Sequence, residues 1–427
     1  MDYRSTFAVA VIVTLAAAVA PRDTVAQAAT QAATTTVIHA GHLIAEPGKP
    51  AVSNRSIVIQ EGRIVAVTEG FVAGDTVIDL KDSWVLPGLI DMHTHVTGVL
   101  DLNSPVEGQI ALAYMRPPAE QVLSMLPRVK TLLLSGFTTI RTLGDQSSTT
   151  YALRDAINSG IVVGPRMFVS EPQIEVDGGD LDAYRWDVRH ELEPYVSNRG
   201  NCTGVTECIK VVRQEVGRGA DVIKLRQAGL AASDPKVAMV ESEAEVKAII
   251  DTAHQLNRKV AAHVVGSPAY LHMVIAAGAD TIEHGPLDDA AIALMKKHGT
   301  AYTPTLLAGK LIDYRFEEGL AGVGKAYRAG VPVIFGTDLG MFGPERSHEE
   351  FGLLAAAGMP PAQVLRAATV NAANALGRGD SLGSIAAGKI ADVIALKSDP
   401  TAAIDQLGDP AKIFFVMKDG QVFKDAK

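Results

Sequence analysis

Cysteine is nearly absent from this chain of 427 residues, which holds only Cys202 and Cys208. Without histidines at matching spacing the pair does not make a metal site. An oxidising compartment permits a bridge between them, with two unbonded thiols as the alternative. Positive charge is also short: 39 Lys and Arg stand against 48 Asp and Glu, a net −9 that courts neither nucleic acid nor anionic lipid. A membrane span is missing too, because the apolar run at residues 7–20 falls short of the roughly 20 residues that cross a bilayer. What the chain does have is 47% apolar residues, enough for a large core in a length that exceeds one ordinary domain.

The N-terminus reads as a signal peptide over residues 1–28. Arg4 precedes the apolar run, and Ala26-Gln27-Ala28 is a small-x-small cleavage site. An uncleaved anchor is the alternative. No cysteine lies near the cleavage point, which argues against a lipid anchor. The expected location is secreted or periplasmic, with "ATQAATTT" (29–36) as a loose leader.

Both ends of the remaining chain are β-rich. "SIVIQEGRIVAV" turns at Glu61-Gly62, and "KIFFVMKDGQVFK" carries an Asp419-Gly420 hairpin signal. Neither end is large enough for its own core, so 29–84 and 381–427 are expected to form one small β-sandwich domain. Between them, 85–380 alternates apolar strands with helical segments. The strands are "WVLPGLIDMHTH", "TTIRTLG", "PRMFVS", "DVIKLR", "KVAAHVV", "DTIEHG", "AYTPTLL" and "VPVIFGTDLG". Eight such units fit an α/β fold, a (β/α)8 TIM barrel, with a doubly wound open sheet as the alternative. A long segment from Glu171 to Cys208 breaks the rhythm and reads as a lid or binding loop.

Barrel chemistry gathers at the C-terminal ends of the strands. Strand one ends in His93 and His95, which alternation places on one side; strand four carries Lys224, strand five His263, strand six His284 and strand eight Asp338. Each has a plain reading alone: a snorkelling lysine, a core histidine, a polar group capping a loop. Packing does not require all six at one mouth, and together they suit a metal site. Arg226, two residues beyond Lys224, should face the same mouth and could grip a substrate carboxylate, or else pair with a loop acid. Tyr184, Trp186 and His190 could meet an aromatic substrate group or simply pack on the surface.

At this point the sequence resembles the amidohydrolase superfamily of metal-dependent hydrolases. The motifs are "VLPGLIDMHTH", "SGFTTIRTLG", "GADVIKL", "HVVGSPAYLHMVIAAGADTIEHG", "VPVIFGTDLG", "AATVNAANALG" and "GSIAAGKIADVIAL", covering nearly the whole chain. The likeness is to the imidazolonepropionase-like branch, which includes prolidase-type dipeptidases and ochratoxin amidohydrolases. The resemblance implies metal ligands at His93, His95, Lys224, His263, His284 and Asp338, with Asp338 also the catalytic proton shuttle. It implies two divalent ions, zinc the expected metal, bridged by a carbamate formed on Lys224 from CO2. The branch often has an acid where Thr142 stands, and a histidine-bearing "GGHG" where this chain reads "VDGGDLDAY", so substrate contacts in that loop do not carry over.

The resulting expectation is a binuclear amidohydrolase that cleaves an amide next to a free carboxylate, in a dipeptide, an N-acyl amino acid or ochratoxin A. A mononuclear deaminase or cyclic amidohydrolase of a heterocycle is the alternative, and a catalytically inactive binding barrel a further one. The expected partner is a small-molecule or short peptide substrate. No nucleic acid is expected, no membrane span after signal removal, and family habit suggests a homo-oligomer.

Overall fold

The computed structural model describes residues 34–98, 116–145, 148–178, 198–227, 239–285 and 287–426. The first strands are β1 (Thr35–Leu43), β2 (Val52–Gln60), β3 (Arg63–Glu69) and β4 (Thr76–Pro87). The middle of the chain supplies β5 (Leu89–Thr94), β6 (Phe137–Leu143), β7 (Arg166–Ser170), β8 (Gln173–Val176) and β9 (Asn201–Cys202). It continues with β10 (Val222–Arg226), β11 (Lys259–His263), β12 (Thr281–Glu283) and β13 (Ala301–Thr303). The end of the chain adds β14 (Val393–Leu396), β15 (Phe415–Lys418) and β16 (Gln421–Asp425).

The terminal strands form one seven-stranded sheet in the order β16-β15-β14-β4-β1-β2-β3. Its far edge curls back, with Ile64 N–H donating to Lys389 O (2.9 Å) and Gly388 N–H to Ile64 O (2.8 Å). The two layers expected of a sandwich are therefore halves of one curled sheet around Ile38, Ile57, Ile64, Val85, Val393 and Phe415. Both hairpin turns use positive φ at each central residue, Glu61 (48°) and Gly62 (75°), then Asp419 (52°) and Gly420 (76°), matching the twist of the strands they join. The tips touch: a Cβ on Gly62 would lie 2.6 Å from Asp419 O.

Barrel strands pair in parallel, in a three-stranded run β5-β6-β7 and a six-stranded run β13-β12-β11-β10-β8-β9. Strand three of the barrel is split. β7 bonds β6, the cis Glu171–Pro172 bond follows, and β8 bonds β10. Strand one also differs from expectation, because Trp84–Pro87 still belongs to β4 and the barrel strand begins only at Leu89. At the break Gly88 passes so close to Thr138 that a Cβ would overlap its side chain (2.1 Å). Strand eight is irregular. Single bridges, Tyr302 to Val333 and Thr94 to Leu339, close the barrel around residues 332–339.

Local signals set the helices. Helix Glu243–Gln255 begins with a capping box between Ser242 and Glu245, and helix Pro268–Ala277 starts on the Ser267 cap with Pro268 in its first turn. Cys202 and Cys208 are joined in a disulfide that ties β9 to helix Gly204–Arg218. Among the described residues no helix is long and apolar enough to cross a membrane.

One long-range cap matters for the site. Glu350, buried on helix Glu349–Ala356, accepts the backbone N–H of Leu306 (3.0 Å) and Leu307 (2.7 Å), the otherwise unpaired donors at the buried start of helix Leu306–Leu311. Burial pushes its carboxyl up from 4.5 to about 8, outweighing the two N–H donors that pull it down. A carboxyl raised in the folded state stabilises fully at low pH and loses that contribution as pH climbs through its folded value. Glu350→Gln removes the titration. Urea unfolding across pH 5 to 8 should show wild-type protein losing more stability than the variant, by up to about 4 kcal/mol; parallel pH profiles would show that the carboxyl is not raised.

Candidate metal centre

β5 ends with alternate residues turned into the barrel mouth, so His93 and His95 share a side. His93 is fully buried and His95 about a quarter exposed. Asp91, the previous residue on that face, fastens β5 to strand eight. It accepts the backbone N–H of His93 (3.0 Å) and Thr337 (3.2 Å) and the Thr337 hydroxyl (2.7 Å). Asp338 N–H then donates to His93 O (2.8 Å), and a left-handed backbone (φ 58°) swings its carboxylate over the histidines. His284 is likewise at positive φ (64°). Such conformations cost energy in non-glycine residues and persist where the surroundings enforce them.

The six residues read as ligands meet. Asp338 Oδ1 lies 3.4 Å from His93 Nε2 and 3.3 Å from His95 Nε2, and donor atoms of these three all fall within 4.8 Å of one another. Lys224 Nζ is 3.2 Å from His93 Nε2. The His93 and His284 rings are 4.6 Å apart, and those of His284 and His263 4.7 Å. Arg226 sits at the rim, partly exposed, its Nη1 donating to Gln173 Oε1 at 3.3 Å. Tyr184, Trp186 and His190 lie outside the described residues.

Hydrogen bonds fix which imidazole nitrogens are available. Glu283 is a carboxylate, held well below its ordinary range by Arg141 and His93 despite burial, so it can only accept; His93 Nδ1 donates to it at 2.8 Å. Thr305 donates its hydroxyl to Pro304 O (2.8 Å) and therefore accepts from His284 Nδ1 (2.6 Å). Both rings thus leave Nε2 as a bare lone pair, the form a metal takes.

Charge states agree for three of the four histidines. Burial drives His93 and His263 well below 6.5 and His284 to about 4, so all three imidazoles are neutral. Burial also opposes charge on His95, but Asp145 and Asp338 outweigh it and raise the ring to about 9. For Asp338 the burial penalty is overcome by His93, His284 and His95, which hold it ionised. Burial lowers Lys224 to about 7 against the pull of Glu283 and Asp338, leaving much of its amine neutral near pH 7. Three neutral imidazoles, an ionised carboxylate and an amine able to take up CO2 are a donor set that suits divalent ions, and His95 joins it once a bound cation displaces the proton that Asp145 and Asp338 hold on its ring.

Several supporting residues escaped the sequence reading. Arg141 is almost fully buried; its Nη2 donates to Glu283 Oε1 (2.6 Å) and its Nε to Met92 O (2.6 Å). Asp145 faces His95, with Oδ1 3.8 Å from Nδ1, and accepts the Thr142 hydroxyl at short range. The threonine noted as a departure thus holds an acid three residues further on. The available signals were Glu283 directly before His284, and Arg141 inside "TTIRTLGD".

Comparison with known proteins gives the family. A 439-residue alignment with the ochratoxinase of Aspergillus niger is 30% identical, covering 93% of this chain and 88% of that one. The imidazolonepropionase of Chromobacterium violaceum is 27% identical, with 81% of this chain and 85% of the relative covered. A crystal structure of a Xaa-Pro dipeptidase with methionine bound in its active site superposes with a TM-score of 0.78 at 31% identity, covering 92% of this chain and all of that one. The amidohydrolase family pattern matches residues 84–423, and the chain belongs to that family.

Proposed function

We propose that this hydrolase is a binuclear metal-dependent amidohydrolase cleaving an amide next to a free carboxylate, in a dipeptide, an N-acyl amino acid or ochratoxin A. The observation that carries the reading is Lys224, a buried amine 3.2 Å from His93 Nε2 whose charge burial weakens, lowering it to about 7. The ochratoxinase and dipeptidase likenesses support the substrate range. The N-terminal pattern of residues 1–28 supports export to the periplasm or medium, and a homo-oligomer is the expected assembly.

His93, His95, Lys224, His263, His284 and Asp338 would hold the metal. Two divalent ions, zinc by expectation, would lower the pKa of attacking water and polarise the scissile carbonyl. The neutral Lys224 amine attacks CO2, forming an N–C bond and releasing a proton, which gives a carbamate with two anionic oxygens. Glu283 fixes the His93 ring, and Thr305 the His284 ring. Asp338, ionised and within 3.4 Å of two imidazoles, accepts the proton of attacking water and passes it to the leaving nitrogen. Arg226, steadied by Gln173, binds the substrate carboxylate at the rim.

Metal analysis paired with hydrolysis assays on N-acyl-phenylalanine, Xaa-Pro dipeptides and ochratoxin A tests the whole reading. Metal-free protein with no activity on any of them sinks it. Lys224→Ala should lose metal and turnover together; normal metal content and turnover would instead favour a single-metal deaminase. Asp338→Asn should fold and keep most of its metal while kcat falls by about 10²–10⁴. Arg226→Met should lower kcat/KM by roughly one to two decades, since charge-assisted hydrogen bonds contribute about 1.5–3 kcal/mol. It should also discriminate less between a free carboxylate and its methyl ester, and a loss of stability with that discrimination intact would make Arg226 a structural ion-pair partner.

A further inference from the structure

Beside His263, His284 and Asp338 lies a cavity of about 110 Å³. Leu306, Ala308, Ile312, Tyr314 and Phe316 form its apolar wall. Arg315, on the same wall, is paired with Glu318 (Nε to Oε2 3.0 Å), which leaves the pocket apolar in character. Ile312 and Tyr314, 46% and 38% exposed, stand at the open end of this wall.

The wall is preformed. Glu350 holds the N–H groups of Leu306 and Leu307, and Thr305 is bonded to His284. Tyr302, beneath it, donates its hydroxyl to Gly285 O (2.8 Å). Three non-glycine residues of this segment, Thr305 (φ 49°), Asp313 (52°) and Arg315 (45°), are kept in the left-handed region. Backbone strain of this kind concentrates at ligand clamps, and here it surrounds a cavity.

Position around the barrel gives the pocket its role. Arg226 ends β10, in register with His263 on β11, while the cavity runs from His263 across the ends of β12 and β13 to Asp338. Arg226 thus stands on the β10 side of His263 and the apolar wall on its β12–β13 side. A substrate with its carboxylate on Arg226 and its carbonyl at Asp338 sends its acyl group toward Ile312 and Phe316.

We infer that this cavity is the acyl-side specificity pocket, and that it takes a branched aliphatic group or a single aromatic ring on the acyl half of the substrate. The inference rests on the proposed amide hydrolysis and narrows its substrate class. An enclosed apolar cavity of about 150 Å³ holds a benzene ring, so a smaller one open to the mouth seats a ring with one edge outside. Apolar contact in such pockets discriminates by roughly 10–200-fold per methylene-sized difference.

The test measures kcat/KM on N-formyl, N-acetyl, N-isovaleryl and N-benzoyl derivatives of one amino acid. Wild-type protein should prefer isovaleryl and benzoyl over acetyl by tenfold or more. Ile312→Trp, at an exposed position that tolerates bulk, and Ala308→Leu should each cut the benzoyl-to-acetyl ratio at least tenfold. A flat wild-type series, or variants that lower every substrate by the same factor, overturns the inference while leaving amide hydrolysis standing. Loss of all hydrolysis in metal-loaded wild-type protein overturns the proposed function instead. The pocket is then decided by calorimetric binding of the same N-benzoyl and N-acetyl compounds to Asp338→Asn protein, where tenfold tighter benzoyl binding that Ile312→Trp abolishes supports it and equal binding refutes it.

Discussion

One buried carboxylate holds the centre together. Glu283, at the end of β12, is wholly shielded from solvent and shared between Arg141 on β6 and His93 on β5. Arg141 extends the tie to Thr281 and to the carbonyl of Met92. Three strands far apart in sequence are thereby locked at the depth where His93 must stand. Taking two charges out of water is costly, and such a pair adds little net stability against a well-packed apolar replacement; losing one partner, however, leaves a buried unpaired charge at about 3–5 kcal/mol. The arrangement makes sense as positioning. A carboxylate that can only accept sets the His93 tautomer, and the arginine keeps that carboxylate ionised.

The rest of the mouth shows the same exchange of regularity for placement. Strand eight forms only single bridges to its neighbours, because the chain must turn Asp338 through a left-handed conformation to reach two histidines. Asp91 compensates by accepting three bonds from β5 and strand eight, at the cost of burying a carboxyl that burial pushes up to about 7. Strand three is interrupted so that β7 can bond β6 while β8 carries Gln173 and Ile174 to β10.

Periodicity explains what was legible. His93 and His95 were readable because alternation on one strand needs no knowledge of neighbours, and Lys224, His263, His284 and Asp338 followed once eight apolar stretches implied a barrel with one chemical end. The hairpin tips at Glu61-Gly62 and Asp419-Gly420 were equally local. Arg141 and Glu283 were not legible: 142 residues separate them, and a charged residue inside an apolar strand has no pattern that names its partner. The break at Gly88 was hidden for a similar reason, since it depends on the Thr138 side chain fifty residues away. Glu350 has no sequence signal, and its role appears only when Leu306 and Leu307 point their N–H groups at it.

Thr305 connects selectivity to chemistry. Its hydroxyl orients His284, and its left-handed backbone opens helix Leu306–Leu311, whose first N–H groups end on Glu350. The wall that would touch an acyl group and the imidazole that would hold metal therefore share a residue. A change in the wall that shifts Thr305 alters the donor geometry of His284, because one residue serves both. Ile312 and Tyr314 lie later in the segment, past the Glu350 anchor, so side chains there can vary without passing strain back to the ring. Selectivity is thus most freely adjusted at the exposed end of this segment, and the six-residue centre is protected by the buried start of it.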